Sequence, residues 1–231
     1  MIGAVATASA LMAVQGASID ISFNFGTSSG TTSPTAGTPS NFTVGDITLG
    51  NTLGSIASNP NITNPSSGYT GASGNFNYDQ ITQNGASLNT STSAYYQFTV
   101  TPDPGFFVQI TDFDFGALST TTTGPLSYVL RWSVDNYAAN VTSVGSLTRG
   151  TAWALKNNTF TAKTSTTSGA AVDFRLYFYN TTAAVSGTPN VSIDDVKTSL
   201  AAVPEASGCA GLVGLTWLHR RVKRAKQQPK T

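Results

Sequence analysis

Val172-Asp173-Phe174-Arg175-Leu176-Tyr177-Phe178-Tyr179 alternates without a break. Val172, Phe174, Leu176 and Phe178 fall on one face of an extended chain, and Asp173, Arg175, Tyr177 and Tyr179 on the other. Successive strand side chains point to opposite faces, so this period of two predicts a half-buried β-strand. The same pattern recurs at Tyr96, Phe98 and Val100, and again at Tyr128, Leu130, Trp132 and Val134. Further strands are expected near Ile19 to Phe25, Phe42 to Leu49, Phe106 to Leu118, Phe160 to Lys163 and Val191 to Thr198.

Between these runs lie turn-rich stretches such as TSSGTTSPTAGTPSN, and no capped amphipathic helix is seen in the same region. Roughly eight or nine short strands with long polar connections predict an all-β fold, an antiparallel β-sandwich of jelly-roll type. An open β-solenoid is the alternative, and the lack of a repeat of fixed period counts against it. Twelve Phe, 8 Tyr and 3 Trp among 231 residues argue for a packed core, because disordered chains are poor in aromatics.

The formal net charge of +1 conceals an asymmetry. Residues 18–205 hold six basic residues against eleven acids, a net charge of −5, and the other six basic residues all follow position 219. The domain therefore offers no basic stripe for phosphates, and nucleic acid is not an expected partner.

Both ends read as addresses. Residues 1–17, MIGAVATASALMAVQGA, have the apolar length and small terminal residues of a signal peptide, without a basic n-region. At the other end Val203-Pro204-Glu205 precedes the apolar run 206–218, a short transmembrane helix in prospect. Arg220, Arg221, Lys223 and Arg224 follow as a cytoplasmic stop, which would leave residues 18–200 outside the inner membrane. An ordinary C-terminal anchor is the plainer reading of the same order.

Residues 201–231 resemble the PEP-CTERM sorting domain of bacterial exported proteins. Val203, Pro204 and Glu205 stand at the sorting motif, although Ala206 occupies the position where a second proline is usual. The resemblance implies transient residence in the inner membrane, an exosortase-type processing enzyme as partner, and delivery to the cell surface or matrix. FNFG, GPLSYVLRWSVDNY, FRLYFYN and NVSIDDV are similar to segments of many exported proteins bearing that domain, which are linked to exopolysaccharide and biofilm matrix. The IDDV strand also resembles the last strand of several jelly-roll carbohydrate-binding modules, where an aspartate helps hold a structural calcium.

Chemistry has few groups to use. The one histidine, His219, lies in the basic tail, and the one cysteine, Cys209, in the apolar run. A serine or cysteine nucleophile with a histidine base is thus excluded for the domain, and the chain is not expected to be an enzyme. A polysaccharide hydrolase would need an aspartate pair such as Asp112 and Asp114. Calcium suits the acids better, with Asp20 on the first strand approaching Asp194 or Asp195 on the last; solvated strand residues are the plainer alternative. For an exopolysaccharide, Arg175, Tyr177 and Tyr179 form the expected contact surface, against ordinary cross-strand packing. A structural or adhesive role is the leading expectation for the domain, followed by carbohydrate binding and, distantly, hydrolysis.

Overall fold

The computed structural model describes residues 16–25, 32–35, 37, 39–51, 65–73, 87–119, 126–148, 150, 152–180 and 191–205. Residues 1–15 of the expected signal peptide lie outside them, as do the apolar run 206–218 and Arg220, Arg221, Lys223 and Arg224. Eleven strands are described: β1 (Ile19–Phe23), β2 (Phe42–Val44), β3 (Thr48–Gly50), β4 (Tyr95–Pro102), β5 (Phe106–Ser119) and β6 (Leu126–Trp132), then β7 (Gly145–Leu147), β8 (Ala154–Lys156), β9 (Thr159–Thr164), β10 (Val172–Asn180) and β11 (Val191–Pro204). Among the described residues no helix is long and apolar enough to cross a membrane.

The strands form two antiparallel sheets. Sheet A runs β1-β11-β5-β8, with β9 also on β5; sheet B runs β2-β4-β10-β6-β7, with β3 also on β4. The all-β sandwich expected from the alternation is therefore present. The core lies between the sheets. In sheet B, Phe98 of β4 faces Phe174 of β10, which faces Trp132 of β6. Phe98 also stacks on Phe174 at 5.1 Å and meets Phe113 of sheet A at 6.1 Å. Such rings each contribute roughly 1.5–3 kcal/mol through burial alone.

Three particulars differ from the sequence reading. The expected strand Phe42 to Leu49 is two strands with Gly45 to Ile47 between them, and β7 and β8 are short strands the alternation did not show. Three residues are too few to display a period. The expected domain boundary after residue 200 falls inside β11, which pairs with β5 as far as Val203↔Phe107 and Pro204↔Phe106.

β11 and β5 both carry bulges, and these set the exposed chemistry. Between Asp194↔Gly116 and Lys197↔Asp114 the last strand has one residue more than its partner; between Ser199↔Asp112 and Leu200↔Ile110 the extra residue is in β5. A bulge reverses the alternation beyond it. Ile193 and Val196 therefore both point into the core, as do Ile110 and Phe113. Asp194, Asp195 and Lys197 are left together on the side of sheet A that faces away from sheet B.

Candidate functional site

The outer face of sheet A is built in rows. β1 pairs with β11 so that Asp20 stands opposite Ser199 and Ser22 opposite Lys197. Across β5 the rows continue as Asp20-Ser199-Asp112 and Ser22-Lys197-Asp114. Lys197 Nζ binds Asp20 Oδ2 at 2.7 Å, and both side chains are about half exposed. The Lys197 hydrogen bond, helped by one from Ser199, holds the Asp20 carboxyl below its ordinary range. Asp114 is shifted the opposite way: burial raises it, although the Asn158 N–H donates to it at 2.9 Å.

Beside these rows the β11 bulge makes a clasp. Asp195 has φ 48°, in the left-handed region that Asp and Asn tolerate better than other non-glycine residues. Its Oδ2 accepts hydrogen bonds from Tyr69 OH at 2.6 Å, the Ser73 N–H at 3.1 Å and Ser66 Oγ at 3.4 Å. Asp194 is wholly buried, with Oδ2 accepting from Ser73 Oγ at 3.1 Å and Oδ1 from the Asp195 N–H at 2.8 Å. Burial pushes Asp194 up to about 6, and burial with the Asp195 hydrogen bond raises Tyr69 strongly. The Tyr69 ring lies over Gly116, where any Cβ would collide with it. Segment 65–73 is thus fastened to the sheet by two carboxylates and one missing side chain.

These acids do not fit the calcium site expected of them. β1 and β11 do lie side by side, but Asp20 stands opposite Ser199, four residues from Asp195 and roughly 13 Å along the strand. Both oxygens of Asp194 take protein donors, and Asp195 Oδ2 takes three. Among the described residues no group of three or more His, Cys, Asp or Glu is placed to hold a metal ion. The hydrolase pair is separated by function: Asp112 Oδ1 accepts from the Ser199 N–H and Asp114 Oδ1 from the Asn158 N–H.

A cavity of about 520 Å³ opens where rows and clasp meet. Ser22, Lys197 and Asp114 line it from the sheet, Tyr69 and Asp195 from the clasp, and Leu155 of β8 from the side of Gly116. Leu155 and Tyr69 carried no sequence signal, one lying in a three-residue strand and the other in a Gly/Ser-rich connection.

The expected sugar-contact residues sit on the outer face of sheet B and are differently employed. Arg175 lies between two rings, 4.3 Å from the centroid of Tyr95 and 4.0 Å from that of Tyr137, and its Nε donates to Gln97 Oε1 at 2.6 Å. Tyr177 is wholly buried; Tyr95 and Tyr137 pack on it at 5.3 and 6.3 Å, and its hydroxyl donates to the Thr90 carbonyl at 3.4 Å. That ring offers no free surface for stacking on a sugar; Tyr179 is half-buried. Tyr137, with φ 59°, was missed because it follows a short 3-10 turn, Ser133–Asp135, instead of lying on a strand.

At the end of β11, Glu205 donates its N–H to the Gly105 carbonyl at 2.7 Å and accepts from Ser168 Oγ at 3.1 Å. Val203 and Pro204 belong to the strand, and Glu205 is exposed.

No protein-family model matches the chain, and no curated protein matches it. Among solved structures it is similar to the enzymatically active domain of tailspike protein 4 of bacteriophage CBA120, with 14% identity and a TM-score of 0.30. The match covers 70% of this chain and 19% of that one, so the chain spans about a fifth of that structure. A likeness so slight carries no argument about fold or activity.

Proposed function

We propose that this chain is an exported cell-surface or extracellular-matrix protein, a non-catalytic sandwich of jelly-roll type with a structural or adhesive role. In this reading residues 1–17 direct export, and the segment after Glu205 pauses in the inner membrane for an exosortase-type enzyme. The observation that carries it is the position of Val203, Pro204 and Glu205. Val203 and Pro204 end the last described strand, which is paired to its final residue, and Glu205 follows it directly before the apolar run and basic cluster. A cut beyond that point would release a folded unit.

The pairing of the first strand with the last, with the chain passing between sheets from β4 to β5 to β6, supports the jelly-roll type. The non-catalytic reading draws support from Asp194, the carboxylate raised furthest among the described residues. A general acid must reach the group it protonates, and Asp194, raised to about 6, has no exposed surface and is held by Ser73.

Fractionation of the native host tests the proposal, comparing the wild type with a variant in which Arg220, Arg221, Lys223 and Arg224 are all changed to Ser. The wild type is expected outside the inner membrane in shortened form, and the variant as unshortened precursor. Identical fractionation of both, or a wild type retained in the cytoplasm, would remove the basis of the reading.

A further inference from the structure

The cavity on sheet A has a use that the export reading does not supply. Its volume, about 520 Å³, lies within the roughly 300–1,000 Å³ typical of small-molecule sites. What it offers is a donor and an acceptor side by side. Lys197 spends one ammonium proton on Asp20, and among the described residues the other two have no acceptor. Asp114, directly across the ladder, receives one donor on Oδ1 and none on Oδ2 among the described residues. Neighbouring strands are about 4.8 Å apart, so these groups can reach adjacent hydroxyls of one ligand.

We infer that this cavity binds a neutral polyhydroxylated ligand, a saccharide segment, held by Asp114 and Lys197. A hydroxyl both donates and accepts, so one vicinal diol satisfies the carboxylate and the ammonium together. Other ligand chemistries fit worse. Among the described residues of β1, β11 and β5, Asp20, Asp112, Asp114, Asp194 and Asp195 share the face with one lysine, Lys197, which disfavours an anion. An apolar ligand would leave Asp114 Oδ2 and the remaining protons of Lys197 desolvated with no new partner, at a cost in binding. A cation would meet the ammonium of Lys197 between strands β1 and β5. Leu155 and the Tyr69 ring supply apolar surface for the C–H face of a sugar ring.

This inference gives the sandwich a ligand and does not depend on export, since binding is measured on purified protein. It moves the saccharide from Arg175, Tyr177 and Tyr179 on sheet B to the opposite face of the molecule.

The test is calorimetric titration of the full-length chain with maltohexaose, cellohexaose and mannohexaose, with polygalacturonate as the anionic comparison. At least one neutral hexaose should bind saturably at millimolar concentration, and polygalacturonate should not. D114N keeps the acceptor for Asn158 while removing the charge, and K197M removes the donors. Each should weaken binding roughly tenfold or more, whereas Arg175→Ala should leave it unchanged. If D114N fails to fold, as read by circular dichroism, K197M alone decides. The inference is overturned if no neutral hexaose binds, if K197M binds as the wild type does, or if polygalacturonate binds more tightly.

Discussion

The two outer faces of this sandwich receive polar and aromatic residues by the same alternation and dispose of them in opposite ways. On sheet B the outward side chains are long. Tyr95, Tyr137, Tyr177 and Arg175 reach one another across neighbouring strands and turns, stack, and leave Tyr177 without any exposed surface. On sheet A the outward side chains in the rows Asp20-Ser199-Asp112 and Ser22-Lys197-Asp114 are, apart from Lys197, short carboxylates and hydroxyls, which do not cover the face themselves. A separate segment, 65–73, is fastened over part of it by Asp194 and Asp195, and the remainder stays open as a cavity. Outward tyrosines can thus close a face as readily as they offer a platform. The face with room for a ligand is the one whose side chains are too short to cover it.

Substitutions on the two faces should sharpen this contrast. The largest effect is expected from Tyr177→Ala, which empties a buried ring site on sheet B. Denaturant midpoints should report a loss of about 3–5 kcal/mol, and a loss under about 1 kcal/mol would mean that face is not closed. On sheet A, Asp195→Ala removes the acceptor of three hydrogen bonds and places a residue with little tolerance for the left-handed region at φ 48°. About 2–4 kcal/mol should be lost, with Asp195→Asn milder because Asn accepts hydrogen bonds and tolerates that region.

Asp194 gives the clasp a pH signature. Its carboxyl is raised from 3.8 to about 6 in the folded chain, so the fold holds a proton that the unfolded chain has released over that window. The contribution is therefore most favourable below about pH 4, falls as pH rises through 4 to 6, and is level above that, a change of roughly 2–3 kcal/mol. Asp194→Asn mimics the protonated acid and should flatten stability against pH over that window; an unchanged slope would show that Asp194 is not the group responsible. The smallest effect belongs to the exposed pair. Asp20→Asn should cost under about 1 kcal/mol, less still at high salt, and a larger cost would make the open face more tightly built than its exposure implies.

Much of the architecture was legible in the chain because strand alternation is strongest where one face is buried. Val172, Phe174, Leu176 and Phe178, Tyr96, Phe98 and Val100, and Tyr128, Leu130 and Trp132 all fell on the expected buried face. The bulge at Asp195 was not legible, because one extra residue changes no local composition and only its partner strand reveals it. Without the bulge Asp194, Asp195 and Lys197 could not share a face, so the candidate site was readable only as separate residues. The pairing of β1 with β11 followed the expected topology, but the register, which sets Asp20 opposite Ser199, carried no sequence signal. Tyr69 was hidden for a different reason: its role depends on Gly116, 47 positions away and lacking a side chain beneath the ring.

The central functional claim, export followed by release of a complete sandwich, is tested most directly by the intact mass of the protein recovered from its native host. The account predicts a chain that starts near Ser18, retains Glu205 and has lost the basic residues after position 219, found outside the inner membrane. A mass that runs through Thr231, with the protein held in the inner membrane, would contradict it and leave an ordinary anchored sandwich.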